Sequence, residues 1–374
     1  MNSDVLSGVE KISRYCCVSK AKARELIDKK IIPCIIKEGA TNRYATYTFV
    51  VDYVKNRILE NKAFSFDENA SKNTLMNQIF TKYPLERRDV FGDNNGVATV
   101  FANCNLKGGV GKTTTSITLA SALSIMGARV LLIETDPQSN ISIYMGEIVS
   151  GKCFSDVVLE FIKTDKIIDV KECISTFEFS NSKFDALLSD DRMLGKIEKI
   201  NDNSFVRNVV YRLRNDYDFI IIDTPPSLQA SLQQSYIASE FLNLITLPEN
   251  LSVSGVRNLL SGIEELNEEN INNGKMEDLC SIEHAVVTSF DGRMLNDQIE
   301  NLLILEKTLS EYGVEPESIY KIKKSVVYPE STSRIKGGCP IYDMNEQYMK
   351  AVEDGDKYFE LALKIYDRRI SNVK

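Results

Sequence analysis

One stretch, Asn105-Leu106-Lys107-Gly108-Gly109-Val110-Gly111-Lys112-Thr113-Thr114, constrains this chain more than any other. The apolar, β-rich run Val97–Asn105 leads into it, and a segment of helical period leaves it. Glycines let backbone N–H groups turn inward, and the N-terminus of a following helix adds positive potential, so the arrangement suits a bound anion. The usual phosphate-loop spacing is G-x-x-x-x-G-K-[ST], in which the lysine neutralises β/γ-phosphate charge and the hydroxyl serves Mg²⁺. Counting back from Gly111-Lys112-Thr113 places Leu106 where the first glycine belongs, with a second lysine, Lys107, directly after it. The expected nucleotide contacts are therefore Gly108, Gly109, Val110, Gly111, Lys112, Thr113 and Thr114. A chance glycine-rich turn would carry no such flanking strand and helix.

The rest of the chain from residue 97 keeps the same rhythm. Leu119, Ala122, Leu123 and Met126 fall at i, i+3, i+4 and i+7, one buried helical stripe, and Gly127 closes it as a C-cap. Short apolar strands are expected at 129–134, 184–189, 218–223, 241–247 and 284–290, with helices between them and a last helix over about 345–370. Continuously apolar strands alternating with helices imply an α/β fold, a mostly parallel, doubly wound sheet covered on both faces. Two of these strands end in aspartates, Asp223 of "YDFIIIDTPPSL" and Asp136 of "VLLIETDPQSN". Ligands bind at the carboxyl edge of such sheets. A carboxylate at Asp223 would meet the Mg²⁺ shell beside Thr113, and Thr224-Pro225-Pro226 stiffens the loop that follows.

The segment K-G-G-V-G-K-T-T resembles the deviant Walker A motif of the ParA/MinD superfamily of ATPases, which needs no glycine at the position of Leu106. The resemblance implies a P-loop fold, ATP and Mg²⁺ as cofactors, and an ATP-dependent homodimer. It makes Lys107 the signature lysine that reaches the partner subunit's ATP, akin to an arginine finger supplied in trans. "ETDPQSN" resembles the family's D-x-D-P-Q-x-N element, which gives Asp136 the task of orienting the attacking water; Glu134 departs from that pattern. "VVTSFDGR" (286–293) and "YPESTSRIKGGCPIYD" (328–343) resemble later family segments, the second placing Pro329 on the adenine side. Catalysis thus falls to Lys107, Lys112 and Asp136, and the metal to Thr113 and Asp223.

Composition narrows the choice within that superfamily. A net charge of -8 argues against a surface that grips nucleic acid everywhere, though a local basic patch stays possible. The eight cysteines show no C-x-x-C pair, which fits reduced thiols in a cytosolic protein and disfavours iron–sulfur relatives. There is one phosphate loop, unlike the duplicated arsenite-pump ATPases. His284, the only histidine, sits in a strand-like run and reads as structural. No apolar run reaches membrane-spanning length. Residues 356–374 are amphipathic, with Phe359, Leu363, Ile365 and Tyr366 apolar, and read as a core-packing helix rather than a membrane-binding one.

Residues 1–60 carry 11 Lys+Arg against 7 Asp+Glu, net +4. They read as helix, turn, helix and a hairpin-like segment, and resemble the winged helix-turn-helix of excisionase and MerR-type DNA binders. Lys20, Lys22, Arg24 and Arg43 are then the cations available to phosphates or bases; the other reading is a dimerisation cap with solvated charges. Residues 61–96 form a polar linker with a short helical patch, and 97–374 the ATPase domain. A second basic patch is offered by Lys321, Lys323, Lys324, Arg334 and Lys336, and a third by Arg368, Arg369 and Lys374; as ordinary solvated charges they would do nothing, and the sequence leaves that choice open. The long partition ATPases carry an N-terminal domain of this size. The chain therefore resembles a cytoplasmic, nucleoid-associated DNA-partition ATPase that binds operator and non-specific DNA, works with a ParB-like centromere-binding adaptor, and uses no membrane. The alternatives are a nucleotide-switched transcriptional regulator and a MinD-like positioning ATPase.

Overall fold

The computed structural model describes residues 5–7, 9, 12–13, 20–32, 35–36, 43–46, 97–145, 151–179, 182–226, 230–290, 296–324, 338–343 and 356–372. The expected linker (61–96), Pro329, Arg334, Lys336 and Lys374 lie outside them, as do the side chains of Arg43 and Lys323. The chain forms two compact units. One comprises Met1–Asn94, Ile125–Gly127 and Asn345–Lys374, the other Asn95–Ser124 and Ala128–Met344.

In the first unit, β1 (Val5–Ser7) and β2 (Ile35–Ile36) both pair antiparallel with β3 (Arg43–Thr46), in the order β1-β3-β2. Helix α1 (Lys20–Asp28) buries Ala23, Leu26 and Ile27, the i, i+3, i+4 spacing of one helical face. Lys20, Lys22 and Arg24 lie on its exposed side.

The second unit is built on an eight-stranded sheet. Its strands are β4 (Thr99–Cys104), β5 (Val130–Glu134), β6 (Ile174–Glu178), β7 (Lys183–Leu187), β8 (Phe219–Asp223), β9 (Phe241–Thr246), β10 (Ile282–Phe290) and β11 (Ile319–Lys323). The spatial order is β11-β10-β9-β4-β8-β5-β7-β6, parallel throughout except for the edge strand β6, antiparallel to β7. The helices of this unit are α2 (Lys112–Ile125), α3 (Asn140–Met145), α4 (Phe154–Thr164), α5 (Phe205–Leu213), α6 (Ala230–Ile237), α7 (Asn250–Asn272) and α8 (Asn296–Glu311). The expected parallel α/β architecture is present, and the four expected strands from 184 onward appear within two residues of their predicted limits. Strands β6 and β11 had no counterpart in the sequence reading. β6 is half exposed and reads as polar; β11 alternates charged and apolar residues at the sheet's other edge.

Burial explains the central strands. Every residue of β4, β5, β8 and β9 is buried, and Phe101 stacks on Phe241 at 5.2 Å between ring centroids. Each fully buried large apolar side chain among them contributes about 1.5–3 kcal/mol. The α2 stripe Leu119, Ala122, Leu123 and Met126 is fully buried, and Gly127 takes φ +83°, the left-handed conformation that ends a helix most cheaply at glycine.

Helix α9 (Asp356–Asn372) belongs to the first unit and starts later than expected, residues 344–355 lying outside the description. It buries Tyr358, Leu361, Ala362, Ile365 and Tyr366, and the Tyr366 hydroxyl donates to the Met126 carbonyl at 3.1 Å. That face is occupied by core packing. Arg369 is buried with it, only 2% exposed, which corrects its expected place in a solvent-facing cationic group. No described helix is long and apolar enough to cross a membrane.

Candidate nucleotide site

Parallel strands deliver their carboxyl ends to one edge, and the three strands that sequence singled out are neighbours there. Asn103 of β4 lies opposite Asp223 of β8, and Asp223 opposite Glu134 of β5. Between β4 and α2 the loop turns over this edge. Its left-handed residues are Gly109 (φ 72°) and Gly111 (φ 95°), conformations in which a Cβ is strained. Residue 106 is not left-handed; Leu106 instead packs its side chain against the hydrophobic core. A leucine can stand there because the loop is entered by another device: Asn105 Oδ1 accepts from the Lys107 N–H at 2.9 Å while its Nδ2 donates to the Ile245 carbonyl at 2.6 Å. From β10, Thr288 Oγ1 donates to the Val110 carbonyl at 2.6 Å and pins the loop's crest.

The loop overhangs a cleft of about 430 Å³ lined by Gly108, Gly109, Gly111, Lys112, Thr113, Thr114, Asp136, Gln138, Asn140, Ile143, Tyr144 and Pro226. Seven of these were expected on sequence; Gln138 and Asn140 belong to the quoted "ETDPQSN", while Ile143 and Tyr144 of α3 were not foreseen. A Cβ built on Gly109 meets nothing within 4 Å, whereas one on Gly108 would touch Pro226 at 3.9 Å, so the open side of the cradle is at Gly109.

Four charged groups set the chemistry. Lys112 is buried and its Nζ donates to the Lys107 carbonyl at 3.2 Å; burial lowers its pKa, opposed by Asp223 and Asp136. Asp223 accepts from Thr113 Oγ1 at 2.7 Å and Ser116 Oγ at 2.8 Å, and burial pushes its pKa up to about 6 against those hydrogen bonds and Lys112. Asp136 accepts from the Gln138 N–H at 2.9 Å and Asn140 Nδ2 at 3.2 Å, with its pKa raised chiefly by burial. Glu134 does not line the cleft. Its two oxygens accept from the Ile141 N–H at 2.7 Å and the Ser189 N–H at 3.0 Å, and burial lifts its pKa to about 8. It thus ties the first turn of α3 and the chain after β7 to the end of β5, framing the segment that holds Asp136.

Thr113 and Asp223 make a pair of hard oxygens of the kind that suits Mg²⁺, and the glycine loop with Lys112 suits a phosphate chain. Lys107 is turned the other way. Its Nζ lies 2.7 Å from Glu249 Oε2 and 3.2 Å from Ser252 Oγ at the start of α7, and it does not line the cleft. Of the expected DNA-binding groups, Lys22 forms an exposed pair with Glu25 at 2.9 Å, and Lys324 is exposed. Lys321 is held by Glu306 at 2.7 Å.

The AAA_31 family, described as an AAA domain, matches residues 98–277. An uncharacterized protein of Methanocaldococcus jannaschii is 30% identical over 227 residues, covering 59% of this chain and 85% of its own. The chromosome-partitioning ATPase Soj of Treponema pallidum is 29% identical over 188 residues, covering 44% of this chain and 68% of its own. The septum site-determining protein MinD of Pyrococcus horikoshii, solved with Mg-ADP, superposes with a TM-score of 0.54 at 19% identity over 72% of this chain and 96% of that one.

Proposed function

This chain belongs to the ParA-type P-loop ATPases, and from that premise we propose that it is a DNA-partition ATPase using ATP and Mg²⁺. The observation that carries the chemical part is the 2.7 Å pairing of Thr113, at the start of α2, with Asp223 at the end of β8, Thr113 and Asp136 lining one cleft. Gly108 to Thr114 hold the triphosphate through backbone N–H groups, and Lys112 supplies the fixed cation. Thr113 and Asp223 would hold Mg²⁺, which would supply countercharge to the phosphates. Asp136, steadied by Gln138 and Asn140, orients the attacking water.

Among the described residues Lys112 is the one cation lining the cleft, and Lys107 rests on Glu249, so a second cation for the developing negative charge has to come from elsewhere. The proposed source is Lys107 of a second copy, so that turnover requires dimerisation and is slow without a stimulating, ParB-like adaptor. DNA is bound without sequence preference by the ATP dimer and at an operator by the N-terminal unit, in which α1 carries Lys20, Lys22 and Arg24 exposed. With Arg369 buried and Lys321 paired, the proposed non-specific contact is Lys323, Lys324 and Arg334, of which Lys324 is exposed.

Binding of the full chain to random-sequence DNA, with ATP or ADP and at rising salt, tests this reading. ATP-dependent binding that weakens steeply with salt is expected, because each phosphate contact releases counterions. Indifference to DNA together with ATP-dependent binding to anionic vesicles would replace partition with membrane positioning.

A further inference from the structure

Three polar residues in the core have no task in the mechanism above. Asn103, Asn243 and His284 sit on the adjacent strands β4, β9 and β10, among mostly apolar side chains. Their register puts them in one row: Asn103 opposite Asn243, Asn243 opposite His284, and Asn103 opposite Asp223 on its other side. Buried amides persist only when paired, and these are paired in sequence. His284 Nδ1 lies 3.1 Å from Asn243 Oδ1, Asn243 Nδ2 donates to Asn103 Oδ1 at 2.9 Å, and Asn103 Nδ2 donates to Ser116 Oγ at 2.8 Å. Ser116 Oγ then reaches Asp223 Oδ1 at 2.8 Å, its nearer and charged acceptor, the Lys112 carbonyl lying 3.1 Å away.

The direction of every bond follows from its last member. An ionised carboxylate only accepts, so the Ser116 hydroxyl donates to Asp223 and must receive from Asn103. That turns the amide nitrogen of Asn103 toward Ser116 and its oxygen toward Asn243, whose own oxygen faces His284. His284 therefore carries its proton on Nδ1. All four donors point toward Asp223, and hydrogen bonds aligned in this way polarise one another. The row ends on Asp223 Oδ1, while Oδ2 accepts from Thr113, the member of the pair that lines the cleft.

We propose that Asn103, Asn243 and His284 form a positioning relay which, through Ser116, locks the Asp223 carboxylate in the orientation that receives the divalent cation. The inference rests on the reading of Thr113 and Asp223 as the Mg²⁺ site. None of the three touches nucleotide or metal in this scheme; they act through Ser116. Their effect should therefore appear in cation affinity and not in metal-free nucleotide binding.

The test is a Mg²⁺ titration of fluorescent mant-ATP bound to the full chain, with an EDTA baseline for each protein. Asn103→Leu and Ser116→Ala should each raise the Mg²⁺ midpoint by about tenfold, the lower end of the loss seen when groups behind a metal ligand are removed. Binding in EDTA should match wild type. Adding Asn103→Leu to Ser116→Ala should then shift the midpoint little further, because the relay's only outlet is already gone. If Asn103→Leu does not fold, His284→Gln, which keeps an amide donor, is the milder probe: it should shift the midpoint by less than Ser116→Ala. Relay variants with the wild-type midpoint, or with equal losses in EDTA and Mg²⁺, would overturn the proposal. A wild-type protein that binds mant-ATP with no dependence on Mg²⁺ would instead remove the metal site on which it rests.

Discussion

Two lysines five residues apart in one loop meet opposite fates. Lys112 is 7% exposed, inside the cleft, with Asp223 and Asp136 as the nearby charges. Lys107 lies outside it, on the Glu249 carboxylate at the start of α7. In the fixed half Lys112, Asp136 and Asp223 are all buried; the other half ends in a side chain held by the exposed Glu249 carboxylate and by Ser252 Oγ. The contrast argues that the chain completes nucleotide binding by itself and leaves one catalytic cation to be delivered from elsewhere.

The sharpest way to break that contrast is at the fixed end. Lys112→Ala removes the only cation among the described cleft residues, so ATP binding measured by nucleotide titration should fall by about two orders of magnitude or more, in line with a lost charge-assisted contact in a buried site. Lys107→Ala should leave the same titration near wild type. If both variants bound ATP equally well, the division of labour would be wrong. Asp136→Ala should come next in size: binding persists while phosphate release falls by about 10²–10⁴-fold, the range for a positioned acid–base group. Normal turnover would take Asp136 out of the mechanism.

A third prediction concerns Glu134 and is read in stability. Its carboxyl holds a proton in the fold up to about pH 8, against 4.5 as its ordinary value. Between those values the folded chain binds a proton that the unfolded chain has lost, so stability falls as pH rises through the window. Glu134→Gln cannot titrate, and thermal melts from about pH 6 to about pH 9 should show a shallower decline than wild type. Parallel slopes would mean that Glu134 is already ionised in the fold. The smallest effect belongs to the Lys107 half of the comparison. Glu249→Gln frees Lys107 from an exposed pair, worth about 0–1 kcal/mol, and should strengthen ATP-dependent dimerisation, seen by light scattering, by no more than about fivefold. A weakened dimer would show that Glu249 assists the partner contact and is no mere resting place.

Much of the fixed half was legible in the sequence because it is written locally. The loop, its flanking strand and helix, and the aspartates closing β8 and the segment after β5 are contiguous patterns, and parallel topology brings them to one edge. The polar row was hidden for the opposite reason. Nothing in the sequence set Asn103, Asn243 or Ser116 apart, and His284 read as structural, because the cross-strand partners are 41 to 140 positions away and only register aligns them. The two edge strands escaped because half-exposed or charge-alternating strands lack the continuous apolar run that marked the central ones.

The claim that one cation arrives from a second chain can be tested by mixing two inactive proteins. Lys107→Ala keeps a sound cleft but cannot supply the lysine; Asp136→Ala supplies the lysine but cannot orient water. Each alone should be nearly inactive in steady-state phosphate release with ATP and Mg²⁺. Mixed at equal concentration, they should regain about a quarter of wild-type turnover, since half of the dimers are mixed and each of these has one complete site. No recovery, in a mixture shown to form mixed dimers, would mean that Lys107 acts within its own chain.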